Sequence, residues 1–567
     1  MKNRTKKTTK IFALVCATAT TATALLSAGC KTAATSDSEQ TLEVLLWDQG
    51  YGTQFCQELL DSFKEQDWVK EKYPNLEIVY NSDGNTNTYK TMIDAGEKAN
   101  TVDLFLVGNL SNYTGKDSLG EEKFCDLTEV VFEQTVPGED VTVYEKMLPT
   151  YLDSIRYYEK GQDSNTPDVP FKSYVYPWAS GMDGIVYNAD HLKTLDLEVP
   201  LTTAQFLEEC EIIANGKGLA YNLKADGDYA ILTDSNCNYW GNLYPTWWGQ
   251  YEGITEYYNF FNGVANGMIT GDVHRQKGKL YSLQALEKIL DYESGYVYKN
   301  HTGLGFMQAQ TNFISGEGVF YSNGDWFANE MKNKVAEIEE MRGVKYDIRM
   351  MKTPIVSEII DKTPSIPNEE TLRAVIRAID NKFASVAEAK LGQFEGYELI
   401  TNVTEADYKT ILDARGIVHA IGPRHQAGVP SYAKGKEIAF DFLKYIATDE
   451  AQEIYLAATG GASLPFAYDV KSKNPTLFES LLPLEQDRLN IMYGQAYTVN
   501  VLPDPDTFPL VKWGGMRAVY SLGTSSVITY FAAEGATGTA KQLYDADIKY
   551  YITDGCFTEC RTLAGLD

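Results

Sequence analysis

Tryptophan stands beside a short polar side chain at several points of this chain: Trp47-Asp48, Trp240-Gly241-Asn242, Trp247-Trp248-Gly249-Gln250 and Asp325-Trp326. An indole face covers the C–H side of a sugar ring, and a nearby carboxylate or amide pairs hydroxyls that would otherwise be buried without a partner. Trp47, Asp48, Trp240, Trp247, Trp248, Asp325 and Trp326 are therefore candidate ligand contacts, with Trp513 of Lys512-Trp513-Gly514-Gly515 as a further one. Trp247 and Trp248 are adjacent, so in an extended segment only one can face a binding wall. The competing role for each is core packing, the ordinary use of aromatic rings in a chain with 38 Tyr and 8 Trp.

Other chemistries find less support. The five histidines, His191, His274, His301, His419 and His425, lie in no H-E-x-x-H or triad-like context, and G-x-S-x-G, P-loop and G-x-G-x-x-G patterns are missing from the sequence, so no cofactor is expected. Cys556 and Cys560 have the spacing of half a metal site but neither a second pair nor a nearby His, so no metal is expected either. A glycoside-active enzyme needs two carboxylates across a cleft. With 78 acidic residues, chance pairs such as Asp48 with Asp325 are unavoidable, so that reading stays open as the alternative. The formal charge of −28 repels a phosphate backbone and excludes nucleic acid as the expected partner.

The elements that must position these residues follow from hydrophobic period. Apolar runs at Leu42 to Trp47, Leu76 to Tyr80 and Val102 to Val107 alternate with helix-period stretches through Phe55, Leu59, Leu60 and Phe63 and through Tyr89, Met92 and Ile93. This β-α-β-α-β order predicts a parallel sheet covered by helices, in an α/β fold. Ligands of open α/β sheets bind beyond the strands' carboxyl ends, which makes Trp47-Asp48 and Gly108-Asn109 candidate wall segments. Thr202-x-x-Gln205 predicts a capped helix start before Phe206, and Asn215-Gly216 its end. The length of 567 residues is too great for one compact core and predicts two or more lobes.

The chain opens with Lys2, Arg4, Lys6, Lys7 and Lys10, then an apolar run from Ile11 to Leu26, then Ser27-Ala28-Gly29-Cys30. Residues 1–29 read as an export signal whose core is shorter than the roughly 20 apolar residues of a spanning helix. Leu25 to Cys30 resembles the bacterial lipobox, which implies acylation of Cys30. Residues 30–40 are then a disordered tether, and the protein sits on the outer face of a bacterial cell membrane. Export permits disulfides, and Cys56, Cys125, Cys210, Cys237, Cys556 and Cys560 allow 15 connectivities that spacing cannot separate.

An ordered series of segments resembles the extracellular solute-binding proteins of family 1, the maltose-binding-protein-like receptors of ABC importers. The series comprises Trp47-Asp48, Tyr176-Pro177-Trp178, Gly184-Ile185-Val186-Tyr187-Asn188, Thr202 to Phe206, Phe313 to Val319 leading into Ser322 to Trp326, and Ala439 to Ile446 followed by Thr448 to Gln452. The resemblance implies a type II periplasmic-binding-protein-like fold with two discontinuous α/β lobes and an interlobe ligand cleft. Its expected boundaries are 41–178 plus about 353–450 for lobe 1 and 183–350 plus about 451–567 for lobe 2, with a hinge near Trp178 to Asp183 and a return near Met350 to Pro354. Residues 111–170 and 357–415 are expected insertions. By the same resemblance Trp47 and Asp48 face the cleft from lobe 1, and Trp240, Trp247 or Trp248, Asp325 and Trp326 from lobe 2; Asn109, at its strand end, and Trp178, at the crossover, are further candidate ligand contacts. The implied activity is capture of a carbohydrate, of the neutral oligosaccharide class, and its delivery by a monomeric, lipid-anchored receptor to an ABC permease, with no catalytic step.

Overall fold

The computed structural model describes residues 40–567 apart from 99, 117–118, 223, 420–423, 503–504, 521 and 523–526. The expected export signal, the expected lipid acceptor Cys30 and all but the last residue of the expected tether lie outside the described residues. The chain opens with β1 (Thr41–Trp47), β2 (Glu77–Asp83) and β3 (Leu104–Val107), separated by helices that include Gln54–Glu65 and Thr86–Ala95. It reaches β4 (Tyr176–Pro177), crosses to β5 (Gly184–Asn188), and continues through β6 (Ile231–Leu232), the hairpin β7 (Val264–Ala265) and β8 (Met268–Ile269), β9 (Phe320–Asn323) and β10 (Ile348–Met351). β11 (Ile417–His419), β12 (Gln426–Gly428) and β13 (Asn500–Leu502) complete the strands.

Two sheets organise the molecule. The first has the order β2-β1-β3-β12-β4, with β1 parallel to β2 and β3, and β12 antiparallel to β3 and β4. The second has the order β10-β5-β9-β6, with β5 antiparallel to both its neighbours and β6 parallel to β9. The predicted β-α-β-α-β unit is present because its periods agree with its burial. All four residues of β3 are buried at the sheet centre, and the helix Gln54–Glu65 buries Phe55, Cys56, Leu59, Leu60 and Phe63 on one face. Each such buried side chain contributes roughly 1.5–3 kcal/mol relative to exposure.

The helix after Thr202 begins as expected, with the Thr202 side chain accepting from Gln205 N–H. The Gln205 side chain departs from a full capping box, since it accepts from Leu201 N–H. The chain crosses between sheets at residues 178–183, where Ser180 bridges to Ser463 and Asp183 to His419. All six described cysteines are free thiols, and burial raises those of Cys56, Cys210 and Cys237.

Two boundary expectations need correction. The chain does not leave the second sheet's side at Met350 to Pro354, because Ile355 bridges to Thr202 and donates its N–H to Leu201 O. Residues 355–414 then pack through Ile359, Leu372, Ile376, Tyr408 and Ile411 into the core that holds Ile185, Phe206 and Trp247. The chain reaches the first sheet only at β12. Conversely, the helix Asp449–Thr459 packs on Gln54–Glu65, with Tyr455 in the first core. A third core gathers Trp248, Phe260, Leu510, Tyr551 and Phe557, joining the C-terminal helices to the second sheet's side.

Candidate functional site

The carboxyl end of β1 and the turn after β9 meet across the junction of the two sheets. Trp47, Gln49, Gly50, Tyr51 and His425 from the first sheet's side, with Tyr239, Asn242, Phe306, Trp326 and Glu330 from the other, line a cavity of about 430 Å³. Asn242 and Arg424 also line a neighbouring cavity of about 610 Å³, walled further by Asn236, Tyr244, Pro505, Asp506 and Arg517. Together these cavities form a cleft with an aromatic and a polar half.

Local backbone explains how the rings are presented. Trp47 is the last residue of β1, and its indole lies against Gly108 after β3, where a Cβ would come within 3.1 Å of Cζ3. Its Nε1 donates to Gly84 O at 3.3 Å, and its ring stacks on His425 at 5.9 Å. Burial, reinforced by the Arg424 charge, holds His425 down at about 4, so this imidazole is a neutral aromatic wall at neutral pH. Trp326 closes the Gly324-Asp325 turn after β9, retains 8% of its surface exposed, and packs on Tyr239 at 5.2 Å. Glu330 follows Trp326 by one helical turn, and its Oε2 accepts from Gln310 Nε2 at 2.7 Å. Burial pushes its carboxyl up to about 7.

The floor is polar and closely tied. Tyr51 Oη donates to Asp325 Oδ1 at 3.0 Å, while Gly181 leaves the space that Asp325 Oδ2 fills. Burial raises Asp325 to about 6 against the lowering influence of Arg488. Arg488 Nε donates to Glu485 Oε2 at 2.7 Å, and Arg488 also donates to Gly461 O. At the crossover, Asp183 Oδ2 accepts from Asn242 Nδ2 at 2.7 Å, and its Oδ1 lies 2.7 Å from His419 Nδ1.

The sequence candidates divide accordingly. Trp47 and Trp326 line one cavity together, and Asp325 lies beneath it, buried, rather than on its wall. Asp48, the residue after β1, is exposed and outside both cavities. Asn109 spans the junction, donating to Asp506 Oδ2 at 3.2 Å.

Trp178 is a core side chain, stacked on Phe55 at 5.5 Å with Nε1 bonded to Val107 O. Trp240 is fully buried, and its Nε1 donates to Leu232 O. Trp247 and Trp248 lie on the helix Leu243–Glu252, not on an extended segment, and both are buried. Their indole N–H groups donate to Pro354 O and Gln276 Oε1 respectively. Trp513 packs on the third core under Lys512, away from both cavities.

Tyr51, Glu330, Arg424, His425, Asp506 and Arg517 were not among the sequence candidates. Glu330 alone had a local signal, its i+4 spacing from Trp326. Among the described residues no group of three or more His, Cys, Asp or Glu could hold a metal ion, and no helix is long and apolar enough to cross a membrane.

The family of bacterial extracellular solute-binding proteins matches residues 54–361, more than half of the chain. No curated protein matches in sequence. Among solved structures, an ABC substrate-binding protein from Listeria monocytogenes in complex with cycloalternan superposes with a TM-score of 0.52 at 11% identity, covering 91% of this chain and 99% of that one. A chitin oligosaccharide binding protein gives 0.51 at 15% identity, with 92% and 99% covered. A probable secreted solute-binding lipoprotein from Streptomyces coelicolor gives 0.51 at 13% identity, with 91% and 99% covered. At these identities the likeness is one of fold, and the fold is the two-lobed, type II periplasmic-binding arrangement of the two sheets described above.

Proposed function

Because the chain belongs to the bacterial extracellular solute-binding proteins, we propose that it captures a carbohydrate, a neutral oligosaccharide, between its two sheets and delivers it unchanged to the permease of an ABC importer. The observation that carries this reading is that Trp47 and Trp326 line one cavity together with Gln49, Asn242 and Glu330. Apolar ring faces on both walls and hydrogen-bonding groups between them match the two surfaces of a pyranose. The solved relatives whose names include a chitin oligosaccharide and cycloalternan favour the same ligand class.

In this reading the first lobe holds β1 to β4, β12, the helices before β4 and the helices Lys436–Ile446 and Asp449–Thr459, and the second holds β5 to β11, the helices between residues 189 and 415 and the C-terminal helices. Ligand bound to both walls stabilises the closed state by its differential affinity for that state. The protein is a monomer held on the outer face of the membrane by lipid on Cys30, and it performs no covalent step on the sugar. A thermal-shift screen over neutral and acidic oligosaccharides tests the reading, because a ligand that binds only the folded state raises the midpoint. Shifts by acidic sugars alone, or recovery of a shortened sugar, would refute it.

A further inference from the structure

A third cavity, of about 200 Å³, is lined by Thr507 and Phe508 of the turn at residues 505–511, whose Pro505, Asp506 and Val511 wall the main cleft. It is built from both lobes. Asp153 and Tyr158 come from the segment inserted between β3 and β4, Tyr258 and Asn262 from the helix Ile254–Asn262, and Thr507 and Phe508 from the turn. The inserted segment is fastened across the junction here. Gly161 N–H donates to Ala564 O at 2.8 Å, and Lys512 Nζ donates to Thr114 Oγ1 at 2.7 Å while lying over the Tyr157 ring.

We propose that this cavity is a second carbohydrate subsite that takes one ring of the same glycan, an assignment that rests on the carbohydrate reading of the main cleft. Size and chemistry both support it. Dedicated small-molecule pockets usually exceed about 300 Å³, so this volume suits one pyranose and not a chain. Tyr258 and Phe508, stacked on each other at 6.2 Å and 26°, line the cavity with aromatic carbon, and Tyr158 lines it from the other lobe. Asp153 and Thr507 supply an acceptor and a hydroxyl. Asn262, on the helix Ile254–Asn262, adds a side-chain amide to the same lining. Because the walls belong to both lobes, a ring held here also favours closure.

The test uses the mature chain in calorimetric titrations with short and long members of three neutral series, the malto-, xylo- and chito-oligosaccharides, comparing wild type with Asn262→Ala, Tyr158→Ala and Trp326→Ala. For the series that binds, the first two variants should lose about tenfold in affinity for long members. They should keep wild-type affinity for the shortest binder and a wild-type thermal midpoint. If both bind every length like wild type while Trp326→Ala loses binding, the second subsite is refuted and the main-cleft reading stands. If they lose long-chain affinity while Trp326→Ala binds normally, the subsite stands and the main-cleft assignment fails. No binding by any of the three series overturns both.

Discussion

Tyr51 and Asp325, 274 positions apart in sequence, are joined by a buried hydrogen bond of 3.0 Å from the phenol to the carboxylate, one residue following β1 and the other β9. The bond links the two sheets beneath the cleft and gives Asp325 its donor in a site from which water is excluded. Tyr51→Phe removes the donor and leaves the carboxyl facing a ring edge. The expected loss of stability is about 1–3 kcal/mol, the cost of an unpaired buried polar group, read from urea unfolding at neutral pH. A variant as stable as wild type would show that the bond contributes nothing to holding the lobes together.

Gly50 makes a second cross-lobe contact by having no side chain. A Cβ there would come within 2.7 Å of Trp326 Cβ and 2.9 Å of Trp326 Cγ, and Asn329 Nδ2 donates to Gly50 O at 2.8 Å. Gly50→Ala should therefore block full closure by pushing the β1 turn away from Trp326. Ligand affinity should fall by about tenfold, or about 1.4 kcal/mol, and the ligand-free thermal midpoint should fall by no more than the loss of the neighbouring Tyr51–Asp325 bond accounts for. Small-angle scattering with saturating ligand should report a wider molecule than wild type. Equal scattering curves would remove the closure argument.

Burial raises the Glu330 carboxyl from 4.5 to about 7. A raised folded-state value means that the folded form holds the proton more tightly, so this contribution is complete below about pH 4.5 and is lost as pH rises toward 7. Glu330→Gln cannot ionise and should match wild type at low pH, then exceed it above neutrality by on the order of 1–2 kcal/mol after allowance for partial solvent screening. Urea midpoints at about pH 4.5 and about pH 8 measure the difference. A pH-independent difference between the two proteins would mean that Glu330 titrates normally.

What the sequence revealed and what it hid follow from the range of the forces involved. β1 to β3 and their helices were readable because period and burial agree locally, as in Phe55, Leu59, Leu60 and Phe63. The pairing of Trp47 with Trp326 came through resemblance, whereas the turn chemistry of Gly324-Asp325 would not by itself have aimed an indole at β1. Trp240, Trp247 and Trp248 are buried here because an indole beside a polar residue also suits a core site with one acceptor, as Leu232 O, Pro354 O and Gln276 Oε1 provide. The course of residues 355–414 was hidden for a related reason. Their helices are amphipathic with respect to either lobe, and tertiary contacts such as those of Ile355 with Leu201 and Thr202 and of Glu369 with Thr202 decide which lobe they join. His425 and Arg424 enter the cleft at a second crossing that carries no local signal.

Anchoring has its own test. The thiol of Cys30 is the proposed lipid acceptor, so Cys30→Ala should release the protein from the membrane fraction or leave it unprocessed. Fractionation after a high-salt wash, with the folded part assayed by its thermal midpoint, separates loss of the anchor from loss of the fold. An unchanged membrane-bound amount would rule out lipidation at this position.

Trp326→Ala decides between the two uses of a buried indole. As a ligand anchor the ring should be worth about 1–3 kcal/mol of binding; as a core residue its removal should cost about 3–5 kcal/mol of stability. The ring lines the cavity, yet it also packs on Tyr239 and stands edge-on to Tyr51 at 6.4 Å. Both effects are therefore expected, with the loss of binding exceeding what destabilisation alone would cause in a protein still folded at the assay temperature. Trp47→Ala is the matching test on the opposite wall, where the indole is only half-buried and stacks on His425. Its stability cost should be smaller and its binding cost similar. If Trp47→Ala leaves affinity intact while Trp326→Ala abolishes it, the sugar touches one wall only, and a closed cleft has no ligand to hold it shut.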